Sequence, residues 1–112
     1  MPLVPAAFVN KQEVRQTIDD VVSTLAPDVV FVRFSIGDDW MGKPSLFFRI
    51  VLSDEASAPD RLLASCGRVA ALLELQLQPY QRWDLYPFFD FRSRAEQAIL
   101  RDPIWEHNGV SR

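Results

Sequence analysis

The chain has 112 residues, 48% of them hydrophobic and 24% charged, with a net charge of −3. That length holds one hydrophobic core but not two, and the composition excludes disorder along the whole chain. The acidic balance counts against a nonspecific nucleic-acid binder, which neutralises phosphates with many Lys and Arg.

Residues 1–9 read as an N-terminal arm. Met1 to Phe8 lacks a basic region and carries Pro2 and Pro5, so no secretory signal is expected. Asn10 and Glu13 then stand three apart, the spacing of an N-terminal cap and its carboxylate. Behind them Val14, Ile18, Val21 and Leu25 recur at helical steps, which predicts a helix over Lys11–Leu25 that Pro27 ends. Val29–Ile36 and Leu46–Ser53 are rich in β-branched and aromatic residues. The turn-rich link from Gly37 to Ser45 makes them an antiparallel hairpin with a long tip.

A second helix is expected from Ala58 to Leu77, capped by Ser57 with Asp60, and striped by Leu62, Cys66, Val69, Leu73 and Leu77. Gly67 costs it about 1 kcal/mol against Ala. Pro79 closes it, and a third strand is expected over Trp83–Phe91. Pro87 removes one ladder donor there, which assigns that strand to an edge or a bulge. Ser93 and Glu96 open a short last helix, Arg94–Arg101, stopped before Pro103. The expected architecture is α+β in one domain: core over 10–103, tail over 104–112, order helix-strand-strand-helix-strand-helix. Two long helices lie on one face of a three-stranded sheet.

The two-residue period of strands sorts the side chains. Val30, Val32, Phe34, Ile36, Leu46, Phe48, Ile50, Leu52, Trp83, Leu85, Phe89 and Phe91 are expected inward. The other face collects Phe31, Arg33, Ser35, Phe47, Arg49, Val51, Asp84, Tyr86, Phe88, Asp90 and Arg92. Aromatics and arginines are the residue types that carry interface energy. Phe31, Arg33, Phe47, Arg49, Tyr86, Phe88, Asp90 and Arg92, together with Trp40 at the hairpin tip, are therefore the candidate binding residues. Trp40 and Met41 either fold onto the core or bind something. The short helix and tail, with Ile104 and Trp105, are the alternative occupant of the second face, as a lid.

The chemistry of catalysis finds little support. The single histidine, His107, sits in the tail, and no cluster of metal-ligand spacing is present. No metal or cofactor is expected. Cys66 is the only cysteine, so no internal disulfide forms, which fits a reducing, cytoplasmic setting. It lies on an apolar stripe without a neighbouring base. Asp38 with Asp39, and Asp54 with Glu55, lie ~25 Å apart along an extended strand and read as turn formers. Asp90 is expected to pair with Arg33 or Arg49 across strands. No stretch reaches the roughly 20 apolar residues of a membrane span.

Two blocks carry a resemblance. Asp39-Trp40-Met41-Gly42-Lys43-Pro44-Ser45-Leu46-Phe47-Phe48-Arg49-Ile50-Val51-Leu52-Ser53-Asp54-Glu55 is the first. Tyr86-Pro87-Phe88-Phe89-Asp90-Phe91-Arg92-Ser93-Arg94-Ala95-Glu96-Gln97 is the second. They resemble blocks of short bacterial proteins of unassigned function, some encoded beside small helical HEPN-type proteins in pairs like toxin–antitoxin modules. The resemblance implies a fold and a HEPN-like partner, which makes the chain the antitoxin-like or accessory member of such a pair. The surplus of aromatics on the second face separately points to a non-catalytic protein-binding module, with another protein or a second copy as partner. In element order alone the chain is similar to two further families. The KH-like domains of the ribosome-binding factor A type imply RNA or single-strand binding, against which the acidic charge weighs. The minimal nucleotidyltransferases imply an enzyme using Asp and Arg on the open face. This chain lacks their Asp-x-Asp on strand two, having Arg49-Ile50-Val51 there, which makes it a degenerate relative at most.

Overall fold

The structure is a computed structural model, and it describes residues 9–101, 103–105 and the backbone of 109–110. Of the expected arm over residues 1–9, residues 1–8 lie outside the described residues, as does His107, while Val9 is buried in the hydrophobic core rather than standing in an arm.

Helix α1 spans Lys11–Thr24. The Asn10 side chain accepts from the Glu13 N–H at 3.1 Å, so the first turn is capped as its sequence implies. Val14, Ile18 and Val21 are buried on one stripe. Strands β1 (Val29–Asp38) and β2 (Pro44–Leu52) follow as an antiparallel hairpin. Asp39 organises the tip. Its Oδ1 accepts from the N–H groups of Met41 and Lys43 at 2.8 and 2.9 Å, and Gly42 takes φ +79, a conformation glycine adopts without strain.

Helix α2 runs over Leu62–Leu77, four residues later than the sequence suggests. Ser57 does not cap it. The Ser57 hydroxyl donates back to the Ser53 carbonyl at 2.8 Å, and successive turns occupy the chain up to Arg61. Such local side-chain bonds compete with helix. Leu62 consequently lies at the solvent-facing start of the helix, and the buried positions are Ser65, Val69, Leu73 and Leu77.

The third strand also starts later. Gln78 turns the chain with φ 46, and Pro79 then opens a five-residue helix, α3 (Pro79–Trp83), rather than a strand. Proline in a first helical turn is preorganised, since its missing N–H is an orphan there anyway. Trp83 and Leu85 still reach the core, but from a helix and a connector. Asp84, at φ 57, ends α3 and does not lie on the second face of the sheet. Strand β3 is Tyr86–Ser93. It pairs parallel to β2, with Ser45 opposite Tyr86 and Leu52 opposite Ser93. Parallel neighbours need a crossover, which α2 and α3 supply. Arg82 in α3 donates to Glu13 in α1 at 2.8 Å and ties the crossover to the first helix. The hydrogen bond from Arg82 holds the Glu13 carboxyl below its ordinary value.

Ser93 and Glu96 form a reciprocal capping box that starts α4 (Arg94–Leu100). A single 3-10 turn, Pro103–Trp105, and a two-residue strand β4 (Gly109–Val110) follow. β4 pairs parallel to β1 at Ser35–Ile36, which makes the strand order β3-β2-β1-β4. The fold is α+β, three main strands with α1 and α2 on one face.

The core joins Val14, Ile18 and Val21 to Val69, Leu73 and Leu77 across the inward residues of the sheet. Phe48 and Phe89 stack there at 5.3 Å between ring centres, 10° from parallel. One inward position differs from the simple alternation. The register shifts between Val29 and Phe31, so Val29 is buried and Val30 only partly so. A bulge of this kind moves one residue out of phase. Among the described residues, no helix is long and apolar enough to cross a membrane.

Candidate functional site

The strand register places the second-face residues in four rows across β1, β2 and β3. Phe31, Val51 and Arg92 form the first. Arg33, Arg49 and Asp90 form the second. Ser35, Phe47 and Phe88 form the third, and Gly37, Ser45 and Tyr86 the fourth, next to the hairpin tip. The rows divide the face into a covered half and an open half.

The covered half is the first row. Arg94, Gln97 and Ala98 of α4, with Arg101 just after it, line a groove with Val30, Phe31 and Val51. Val51 is buried although it points away from the main core. Trp105 is 3% exposed, and the Arg92 guanidinium lies 4.4 Å from its ring centre. Arg92 also donates to Gln97 Oε1 at 3.0 Å. The lid therefore exists, with Trp105 as its buried anchor and Ile104 half exposed beside it.

The second row is a polar band. Arg33 and Arg49 are directly opposite cross-strand neighbours, and Asp90 stands beside Arg49. The Arg33 guanidinium lies 4.5 Å from the Phe31 ring centre, and Arg49 donates to Ser35 Oγ at 2.8 Å. Ion pairs join Arg61 and Arg68 to Asp28, and Arg82 to Glu13. Asp90 is exposed and belongs to none of them. The expected pairing of Asp90 with an arginine stops at adjacency.

The open half is aromatic. Phe47 and Phe88, opposite each other in the register, stack at 5.5 Å and 18°. Trp40 leans on Phe88 at 5.9 Å and 60°, yet it stays 82% exposed, with Met41 at 69%. The rings of Tyr80 and Tyr86 meet at 5.2 Å, and the Lys43 ammonium lies 5.2 Å from the Tyr86 ring centre. The Tyr86 phenol, by its charge and then by a hydrogen bond, pushes the Tyr80 pKa up, and Asp84 adds to this. A cleft of about 300 Å³ follows the β2–β3 seam between Phe47, Arg49, Phe88 and Asp90. That is the low end for a small-molecule site.

Of the candidate residues, Trp40, Phe47, Tyr86 and Phe88 thus gather at the tip end of the face. Arg33, Arg49 and Asp90 form the band below, and Phe31 and Arg92 go to the lid. Sequence reasoning missed Tyr80 and Lys43. Tyr80 enters through α3, whose only signal was Pro79 at a helix start.

Burial pushes the Cys66 thiol up, away from the thiolate form that a nucleophile needs. Among the described residues, no three His, Cys, Asp or Glu side chains are grouped to hold a metal. No protein-family model, no curated protein and no solved structure matches the chain.

Proposed function

We propose that the chain is a protein-binding module whose contact surface is the aromatic half of the second sheet face, extended by the hairpin tip. The observation that carries this reading is Trp40. A tryptophan 82% exposed, held over the stacked Phe88 and Phe47, presents a large rigid apolar surface to solvent. Buried aromatics and arginines dominate interface energies, and contiguous exposed apolar patches mark docking sites. Lys43 and Asp90 supply the polar rim. The finer reading makes the chain the accessory or antitoxin-like member of a two-gene module, with a HEPN-type protein as partner, in a cytoplasmic setting. Its support is the resemblance of the Asp39–Glu55 and Tyr86–Gln97 blocks.

The test starts from the gene neighbourhood, where a HEPN-type protein is expected, and uses that protein purified; a neighbourhood without one would remove the HEPN-type partner. Calorimetric titration is expected to show binding, and Trp40→Ala to weaken it by at least about 2 kcal/mol, roughly thirtyfold. Leu63→Ala, on the far side of α2, serves as the control and leaves affinity unchanged. Equal affinities for parent and Trp40→Ala would remove the hairpin tip from the interface. No binding at all would remove the HEPN-type partner.

A further inference from the structure

We infer that the groove beneath α4 binds a small organic anion, an aliphatic carboxylate. Its chain lies on the sheet and its head sits on the rim made by Arg94 and Arg101. This goes beyond the hairpin-tip reading, because it uses the covered half of the face.

The way α4 is turned points to a ligand. Arg94, Gln97, Ala98 and Arg101 follow at steps of three, one and three, which is one stripe of a helix. That stripe lines the groove. Ile99 and Leu100 fall on the other side, 80% and 56% exposed, and none of the residues of α4 is buried. A helix that only covered Val30, Phe31 and Val51 would turn its isoleucine and leucine down and its arginines out. Here that order is reversed, and guanidinium groups stand over an apolar floor.

The floor and the rim ask for different chemistry. Val51 is buried, and Val30 and Phe31 are partly so. Among the described residues the lining carries two guanidinium groups, one amide and no carboxylate. The acids that meet the first turn of α4 bond its backbone. Glu96 Oε1 accepts from the Ser93 N–H at 2.9 Å, and Asp54 Oδ1 from the Ala95 N–H at 3.1 Å. Arg101 Nε donates to the Ala98 carbonyl at 3.4 Å, which keeps that guanidinium against the last turn. Gln97 Oε1 accepts from Arg92 at 3.0 Å and fixes the middle of the stripe.

These features select one kind of occupant. The groove has a volume of about 550 Å³, within the range of small-molecule sites. The guanidinium fork matches a carboxylate with two parallel hydrogen bonds. A hydrocarbon chain gains free energy by covering the apolar floor. A compact anion would leave that floor wet, and a neutral chain would leave the arginines without an anion.

The probe is decanoate, kept below its micelle-forming concentration and titrated into the full chain by calorimetry and by NMR of the backbone amides. One saturable site is expected, with the Phe31, Val51 and Ala98 amides shifting together. Decanol, the same chain without the charge, should bind at least about tenfold more weakly. Inorganic phosphate, a charge without the chain, should leave those amides in place. The double variant Arg94→Ala, Arg101→Ala should weaken decanoate at least about tenfold. Arg68→Ala, which removes a cation from α2, should leave its affinity unchanged. Ala98→Trp fills the groove from an exposed helix position and should abolish binding, with circular dichroism and a melting curve as its folding control. Trp40→Ala should not alter decanoate binding, so this site and the hairpin tip are tested separately. The absence of a saturable site overturns the proposal. So does equal affinity for decanol or phosphate, or an affinity that neither the double arginine variant nor Ala98→Trp reduces.

Discussion

Three tryptophans show how position, not residue type, decides what a side chain does. Trp83 fills the core from α3, Trp105 anchors the lid, and Trp40 stands in solvent. Removing a buried Trp costs about 3–5 kcal/mol through lost burial and the cavity left behind. Trp105→Ala is therefore expected to lower the unfolding free energy by about 3 kcal/mol in a urea titration. It should also raise the fluorescence of a hydrophobic dye, because the lid loses its buried anchor. Trp40→Ala should change stability by under about 1 kcal/mol, since exposed side chains contribute little. Equal losses for both variants would mean that Trp105 is not an anchor. Loop position alone carries no burial signal, so sequence could not separate the exposed Trp40 from the buried Trp105. The answer depends on Arg92, which rises from β3 to meet the Trp105 ring.

At the scale of elements, what was legible depended on whether a signal was local. Asn10 with Glu13 and Ser93 with Glu96 located the starts of α1 and α4, because a cap is made within one turn. Ser57 with Asp60 has the same spacing and failed, because Ser53 offered its carbonyl to Ser57 and its hydroxyl to the Ala56 N–H. The alternation of β1, β2 and most of β3 gave the two faces, while the bulge at Val29 and the left-handed turns at Gln78 and Asp84 left no pattern to read. The candidate site was legible as a face; its division was not, since the lid depends on where α4 travels after Ser93. Gly67 is a further element-scale case. It sits inside α2, exposed, and an added Cβ would meet nothing within 4 Å. The close packing that would justify a mid-helix glycine is absent among the described residues. Gly67→Ala should then stabilise by about 0.5–1 kcal/mol through helix propensity, read as a rise in Tm. A destabilised variant would show that a contact outside the described residues uses that space.

For the molecule as a whole, the distribution of charge separates the two binding classes. A single-strand binder pairs stacked aromatics with cations that track phosphates. Here the aromatics sit at the tip end, and the face's three arginines sit below them, spread over two rows. Arg92 is engaged with Trp105 and Gln97, Arg49 with Ser35, and Arg33 lies over Phe31. Asp90 stands among them, and the chain carries a net charge of −3. Recruiting these arginines to phosphates would mean giving up the contacts that hold the lid and the polar band. If all three did bind phosphates, affinity for a single strand would fall roughly twentyfold for a fourfold rise in salt. The expected result is no gel shift with mixed-sequence RNA or single-stranded DNA even at low salt, where the electrostatic attraction is strongest. A shift at low salt that falls steeply with salt, and is lost in both Arg49→Ala and Phe88→Ala, would replace the protein-binding reading with a nucleic-acid one. A shift that survives Phe88→Ala would place the nucleic acid elsewhere on the molecule and leave the aromatic half to a protein partner.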